Sequence, residues 1–152
     1  MPEVEFHILR ESSPVARLRH ACGLAERAYR AGERVLLRVD GDAELAELDA
    51  LLWTFGDGTF VPHDRLAADG TPGGQEAPVA LTAGPLPAAL GTWPVLIDLA
   101  LSAPPAPRTA GTALPGRVVE IIDADENRRR LGRERFRAYR DAGVTPNTIT
   151  HD

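Results

Sequence analysis

The sequence predicts a three-layer α/β/α domain built on a mainly parallel sheet. Two observations carry this. Short apolar runs rich in β-branched residues alternate with stretches whose apolar residues recur at helical spacing. The first third also reads β-α-β-α, an order whose crossovers lay successive strands parallel. The chain has 152 residues, a length that suits one domain over 1–152, able to bury a core without disulfides or metals.

Val4–Leu9 reads as the first strand. Ser13 followed by Pro14 is a cap-and-first-turn signal, because proline lacks only an N–H that the first helical turn leaves unbonded anyway. Val15, Leu18, Cys22, Ala25 and Tyr29 then form a helical stripe that ends before Gly32. Arg34–Val39 is the second strand. Asp42 is placed to cap a second helix, with Leu45, Leu48 and Leu52 on one face and Trp53 near its end. From Gly56 to Pro78 the glycines and prolines predict a long irregular segment, with one apolar island at Phe60, Val61 and Pro62. Val79–Thr82 and Val95–Leu99 read as short strands, and 103–115 as a second loop. Arg117–Ile122 is a strand, and Asp123 with Glu126 resembles a capping box opening a last helix that stops at Gly143. No internal repeat or domain linker interrupts this order, which is that of a Rossmann-like sheet.

Composition excludes several classes. Hydrophobic residues are 43% and charged residues 26% of the chain, as in ordinary globular proteins. The start Met1-Pro2-Glu3-Val4-Glu5 is acidic and unlike an export signal. The longest apolar stretch, 93–103, contains Asp98 and falls short of the ~20 residues a bilayer requires. The expected location is the cytoplasm, with no membrane association. A net charge of −5 argues against a protein that coats DNA nonspecifically. Cys22 is the single cysteine and lies on a helical stripe, so it reads as a buried small hydrophobe rather than a nucleophile.

Sites for common chemistry are not apparent. The turn after the first strand, Arg10-Glu11-Ser12-Ser13-Pro14, lacks the glycines that let a backbone approach a pyrophosphate. Every basic residue is arginine, so a phosphate-loop lysine is missing outright. The Gly-rich 69–74 segment opens no helix and so lacks the dipole of a phosphate site. His7, His20, His63 and His151 are scattered along the chain and predict no metal site, and no cofactor is expected. The acids at Asp40, Asp42 and Glu44 read as helix-start charges.

The last helix differs. Residues 128–140 hold seven arginines and one acid, Glu134, a local charge of +6. Arg129, Arg133 and Arg137 recur every fourth residue and share a face, with Phe136 beside them. Like charges at this spacing repel, so the arrangement favours an anionic partner.

At this helix the chain resembles the DNA polymerase III chi subunit family. The resemblance rests on Leu131-Gly132-Arg133-Glu134-Arg135-Phe136-Arg137-Ala138-Tyr139-Arg140, on Ala142-Gly143 and Asn147-Thr148, and on Leu52-Trp53, Thr59-Phe60-Val61-Pro62-His63 and Gly73-Gly74 ahead of Ala77-Pro78-Val79. It covers residues 3–149, with the elements in the same order. It implies a noncatalytic accessory subunit that binds the acidic C-terminal tip of single-stranded-DNA-binding protein. That subunit also joins the clamp-loader complex through the psi subunit, or through a lineage-specific replacement for which an accessory helicase is one candidate. DNA would be reached only indirectly.

Carried onto this chain, the family's tip site falls on Arg133 as the carboxylate clamp, Arg129 and Arg137 as flanking charges, and Ile122 and Phe136 as apolar walls. The psi-facing surface falls on Phe60, Val61 and Pro62. Family members often have Tyr where Phe136 stands, which removes one hydroxyl here. Two other readings of the residues stand beside this one: a small nucleotide- or phosphate-binding α/β enzyme, and a direct single-stranded nucleic-acid binder through the Arg-rich helix.

Overall fold

A computed structural model describes residues 2–54, 61–66, 77–87, 90, 93–108 and 114–151. It contains β1 (Glu3–Leu9), α1 (Pro14–Arg30), β2 (Val35–Val39), α2 (Asp42–Thr54), β3 (His63–Arg65), β4 (Val79–Ala83), β5 (Val95–Asp98), β6 (Arg117–Ile122), α3 (Glu126–Asp141) and β7 (Asn147–His151). The seven strands form one sheet in the order β3-β4-β2-β5-β6-β1-β7, and every pairing is parallel. The expected parallel α/β architecture is thus present.

Chain direction decides which face each helix covers. The β1-α1-β2 and β2-α2-β3 crossovers run toward the β3 edge, whereas β6-α3-β7 runs toward the β7 edge. Right-handed crossovers taken in opposite directions place their helices on opposite faces. The packing agrees. Leu18, Cys22 and Ala25 of α1 and Leu48 and Leu52 of α2 share one core with Val35, Leu37, Ile97, Val119 and Ile121. Tyr139 of α3 shares the other with Val4, Phe6, Leu36, Leu96, Val118 and Ile122. Strand side chains alternate between these layers, as the pleat requires. Each fully buried leucine, such as Leu36, Leu37 or Leu48, contributes roughly 1.5–3 kcal/mol relative to exposure.

The local signals succeed and fail for identifiable reasons. Ser13 caps α1 by accepting from the Ala16 amide at 3.1 Å, with Pro14 in the first turn. Gly32 and Gly143 take φ of +79° and +87°, a region disfavoured for residues with a Cβ, which is why each follows a helix end. Val15 is 47% exposed, so it is not on the buried stripe. Asp42 is the first residue of α2 rather than its cap. Asp125, not Asp123, caps α3 by accepting from the Arg128 amide, leaving Asp123 free to accept from the Ser13 amide at 3.0 Å. Inside the segment read as a loop, the polar tripeptide His63–Arg65 pairs with β4, and β7 likewise carries no apolar run. No helix among the described residues is long and apolar enough to cross a membrane.

Candidate functional site

The charged run of α3 divides by face. Arg135 points inward and is 3% exposed. It grips Glu120 with two bonds of 2.7 and 3.0 Å, reaches Asp98 at 2.6 Å, and donates to the Ala100 and Ala103 carbonyls. Tyr139 adds a hydroxyl donated to Glu120 at 2.9 Å. Arg38 grips the same Asp98 through bonds of 3.0 and 2.7 Å. Two buried guanidinium groups therefore balance two buried carboxylates. Burial opposes the charge on Arg135, but Glu120 and Asp98 outweigh it and hold the group protonated.

Arg128 is also committed: both oxygens of Asp123 accept from it at 2.7 Å. Burial would push the Asp123 carboxyl up, yet the Arg128 bonds and charge prevail and lower it. Arg130 pairs with Glu134 and Asn127 on the surface. The apparent +6 cluster is thus partly structural, which corrects the picture of one continuous cationic helix.

Arg129, Arg133 and Arg137 are exposed. Arg129 and Arg133 stand at a cleft of about 230 Å³ between α3 and the β6-β1-β7 edge, lined also by Phe6, Ile8, Ile122, Gly132, Phe136 and Thr148. Parallel register aligns Phe6 with Thr148 and Ile8 with Ile122, so one sheet face supplies the floor. The Phe136 ring meets Phe6 edge-on at 5.2 Å, and Phe6 meets Tyr139 at 6.0 Å, an arrangement favoured by the ring quadrupoles. Gly132 lets α3 approach: a Cβ there would lie 2.9 and 3.0 Å from Ile122 side-chain carbons. Four of the five expected tip-site residues, Ile122, Arg129, Arg133 and Phe136, line this one cleft, while Arg137 lies outside its lining. Phe6, Ile8 and Thr148 were missed as site residues because only tertiary pairing brings them to α3, and Gly132, within α3, because its closeness to Ile122 is a tertiary contact. An apolar floor rimmed by two guanidinium groups suits an apolar side chain that bears a carboxylate.

The second expected surface is less extensive than the sequence suggested. Phe60 lies outside the described residues. Val61 is 1% exposed and belongs to the core, because it packs with the α1–α2 layer, so it is not a surface contact. Pro62 is half-buried. Beside it, Trp53 is 58% exposed and meets the His63 ring edge-on at 5.1 Å, and His63 bonds Asp49 at 2.8 Å. The sequence placed Trp53 near the end of this helix, and the structure adds that it is exposed, a large apolar group on this surface.

The histidines are not scattered in space. His7, His20 and His151 meet on the α1 face of the sheet, with one ring nitrogen from each within 4.8 Å of the others. Burial lowers the pKa of His7, and that of His20 falls to about 4 through burial and its two histidine neighbours.

The family model described as DNA polymerase III chi subunit, HolC, matches residues 1–147. A DNA polymerase III subunit chi of Pseudomonas aeruginosa is 37% identical over 145 residues, covering 94% of this chain and 92% of that protein. The protein of the same name from Escherichia coli K12 is 33% identical over 154 residues, covering 99% of each. A third, from Haemophilus influenzae, is 35% identical over 60 residues, 40% of this chain and 42% of that one. With a parallel α/β sheet and matches along almost its whole length, the chain belongs to the DNA polymerase III chi subunit family, a replication accessory subunit rather than a catalytic one.

Proposed function

We propose that this protein is an adaptor that links the clamp-loader complex to single-stranded-DNA-binding protein by holding that protein's acidic C-terminal tip in the cleft between α3 and β6-β1-β7. The observation that carries the reading is the combination of an apolar floor with Arg129 and Arg133 at its rim. The tip's terminal Phe ring would rest against Ile122 and Phe136, and Arg133 would take its carboxylate through a forked pair of bonds. Arg129 and Arg137 would meet the preceding aspartates. The surface around Pro62 and Trp53 would dock psi or its lineage-specific replacement, an accessory helicase among the candidates. DNA would be contacted only through these partners, in the cytoplasm at the replisome.

Direct binding of single strands is the weaker reading. Arg128 and Arg135 are bound to internal carboxylates, and the chain as a whole carries −5.

The test is calorimetry with a peptide copying the acidic tip, at two salt concentrations. Micromolar-scale binding that weakens with salt is expected, because exposed charge pairs are screened. Absence of heat and of chemical-shift changes with the peptide in excess would overturn the adaptor reading.

A further inference from the structure

We propose that His7, His20 and His151 form a site for one divalent transition-metal ion, with zinc the foremost candidate, on the sheet face opposite the cleft. The three residues lie far apart in sequence and come from three elements. Parallel pairing puts His151 opposite Leu9, two residues beyond His7 on the same face, and α1 lays His20 over both. His7 Nδ1 lies 2.8 Å from His151 Nε2 and 3.1 Å from His20 Nε2. A zinc ion bound tetrahedrally at about 2.0–2.1 Å from each nitrogen would hold its ligands about 3.3 Å apart. One ring nitrogen from each of the three residues already lies within 4.8 Å of the others.

Hydrogen bonding satisfies the cluster only if one imidazole lone pair is shared between two donors. Glu5 can only accept, so the 3.0 Å contact from His7 Nε2 fixes the proton on that nitrogen. Nδ1 of the neutral ring then offers a single lone pair, which faces two imidazole nitrogens at once. A cation shared by all three lone pairs resolves this competition. Glu5 is itself gripped by Arg117 through two bonds of 3.1 Å, so the carboxylate behind His7 is fixed in place. A carboxylate holding the far nitrogen of a ligand histidine is the usual support of such metal sites.

The donor set narrows the ion. Three imidazoles without a thiolate suit Zn²⁺, Ni²⁺ or Cu²⁺, and do not suit Mg²⁺ or Ca²⁺, which prefer oxygen. His20 and His151 also border an open cleft edged by Arg10, Glu11, Arg19 and Arg27, which leaves room for a water or anionic fourth ligand. Occupancy would clamp the edge strand β7 to β1 and α1.

The experiment uses the full chain, stripped with chelator and titrated with zinc chloride against a chromophoric competitor, with bound metal counted by elemental analysis. One zinc per chain is expected, along with a rise in melting temperature, and no response to magnesium. His151→Ala and, separately, His20→Ala should each weaken zinc binding by more than about tenfold, the scale on which even supporting residues act. Imidazole ¹⁵N spectra of the wild type provide a readout independent of variant folding: the His7 Nδ1 resonance should shift on zinc addition. Substoichiometric zinc, binding that both alanine variants retain, or unmoved imidazole resonances would each overturn the site.

Discussion

Arg133 and Arg135 stand two residues apart in one helix, and their alanine variants should fail in opposite ways. Arg135→Ala removes a buried guanidinium that bonds Glu120 twice, Asp98 once and two carbonyls. Asp98 keeps Arg38, but among the described residues Glu120 retains only the Tyr139 hydroxyl. Leaving one partner of a buried pair uncompensated costs about 3–5 kcal/mol. With a urea dependence of about 2 kcal/mol per molar, the unfolding midpoint should fall by roughly 1.5–2.5 M. Arg133→Ala, at an exposed position, should shift stability by about 0.5 kcal/mol or less. It should instead weaken tip binding by about 1.5–3 kcal/mol, roughly ten- to a hundredfold. Arg133→Lys should restore part of that loss, since an ammonium keeps the charge but not the fork. Arg140→Ala, exposed and outside the cleft, is the control; Arg128 cannot serve because it is bound to Asp123. Urea unfolding and calorimetry on all four variants decide the matter. Equal stability of Arg135→Ala and wild type would refute the buried network. Equal, slight weakening by Arg133→Ala and Arg140→Ala would mean a diffuse field and no clamp.

Two further outcomes are expected. Gly132→Ala forces a Cβ to within 2.9–3.3 Å of three Ile122 carbons, so it should cost about 1–3 kcal/mol by overpacking and also weaken tip binding by reshaping the floor, both readable on the same samples. Asp123, whose folded pKa lies below its unfolded value, contributes stability that is complete above about pH 4 and is lost as pH falls through the lowered value. The stability gap between wild type and Asp123→Asn should therefore shrink in urea titrations taken from pH 5 downward, and a gap that stays constant across that range would contradict the Arg128–Asp123 assignment.

What could be read from the chain by itself was whatever local periodicity and caps encode. Apolar runs at β2, β5 and β6, the Ser13–Pro14 start and the stops at Gly32 and Gly143 are properties of neighbouring residues, and they sufficed for a parallel α/β fold. The every-fourth spacing of Arg129 and Arg133 placed two rim residues of the cleft for the same reason. The inward face of α3 was also legible in principle: Arg128, Gly132, Arg135 and Tyr139 follow helical spacing. Asp98 and Glu120 interrupt otherwise apolar strands, and a buried carboxylate calls for a buried cation.

The edge strands β3 and β7 carry no such signal, because their pairing is supplied by β4 and β1 rather than by their own side chains. Only the tertiary structure decided which arginines meet carboxylates and which meet solvent. It likewise brought Phe6 and Thr148 under α3, and His7, His20 and His151 to one point. The physical reason is that none of these contacts is local: parallel pairing joins β1 to β6 and β7, more than a hundred positions away, with a register set by the packing of whole faces, and helix docking on that sheet brings the arginines to their carboxylates and His20 to His7.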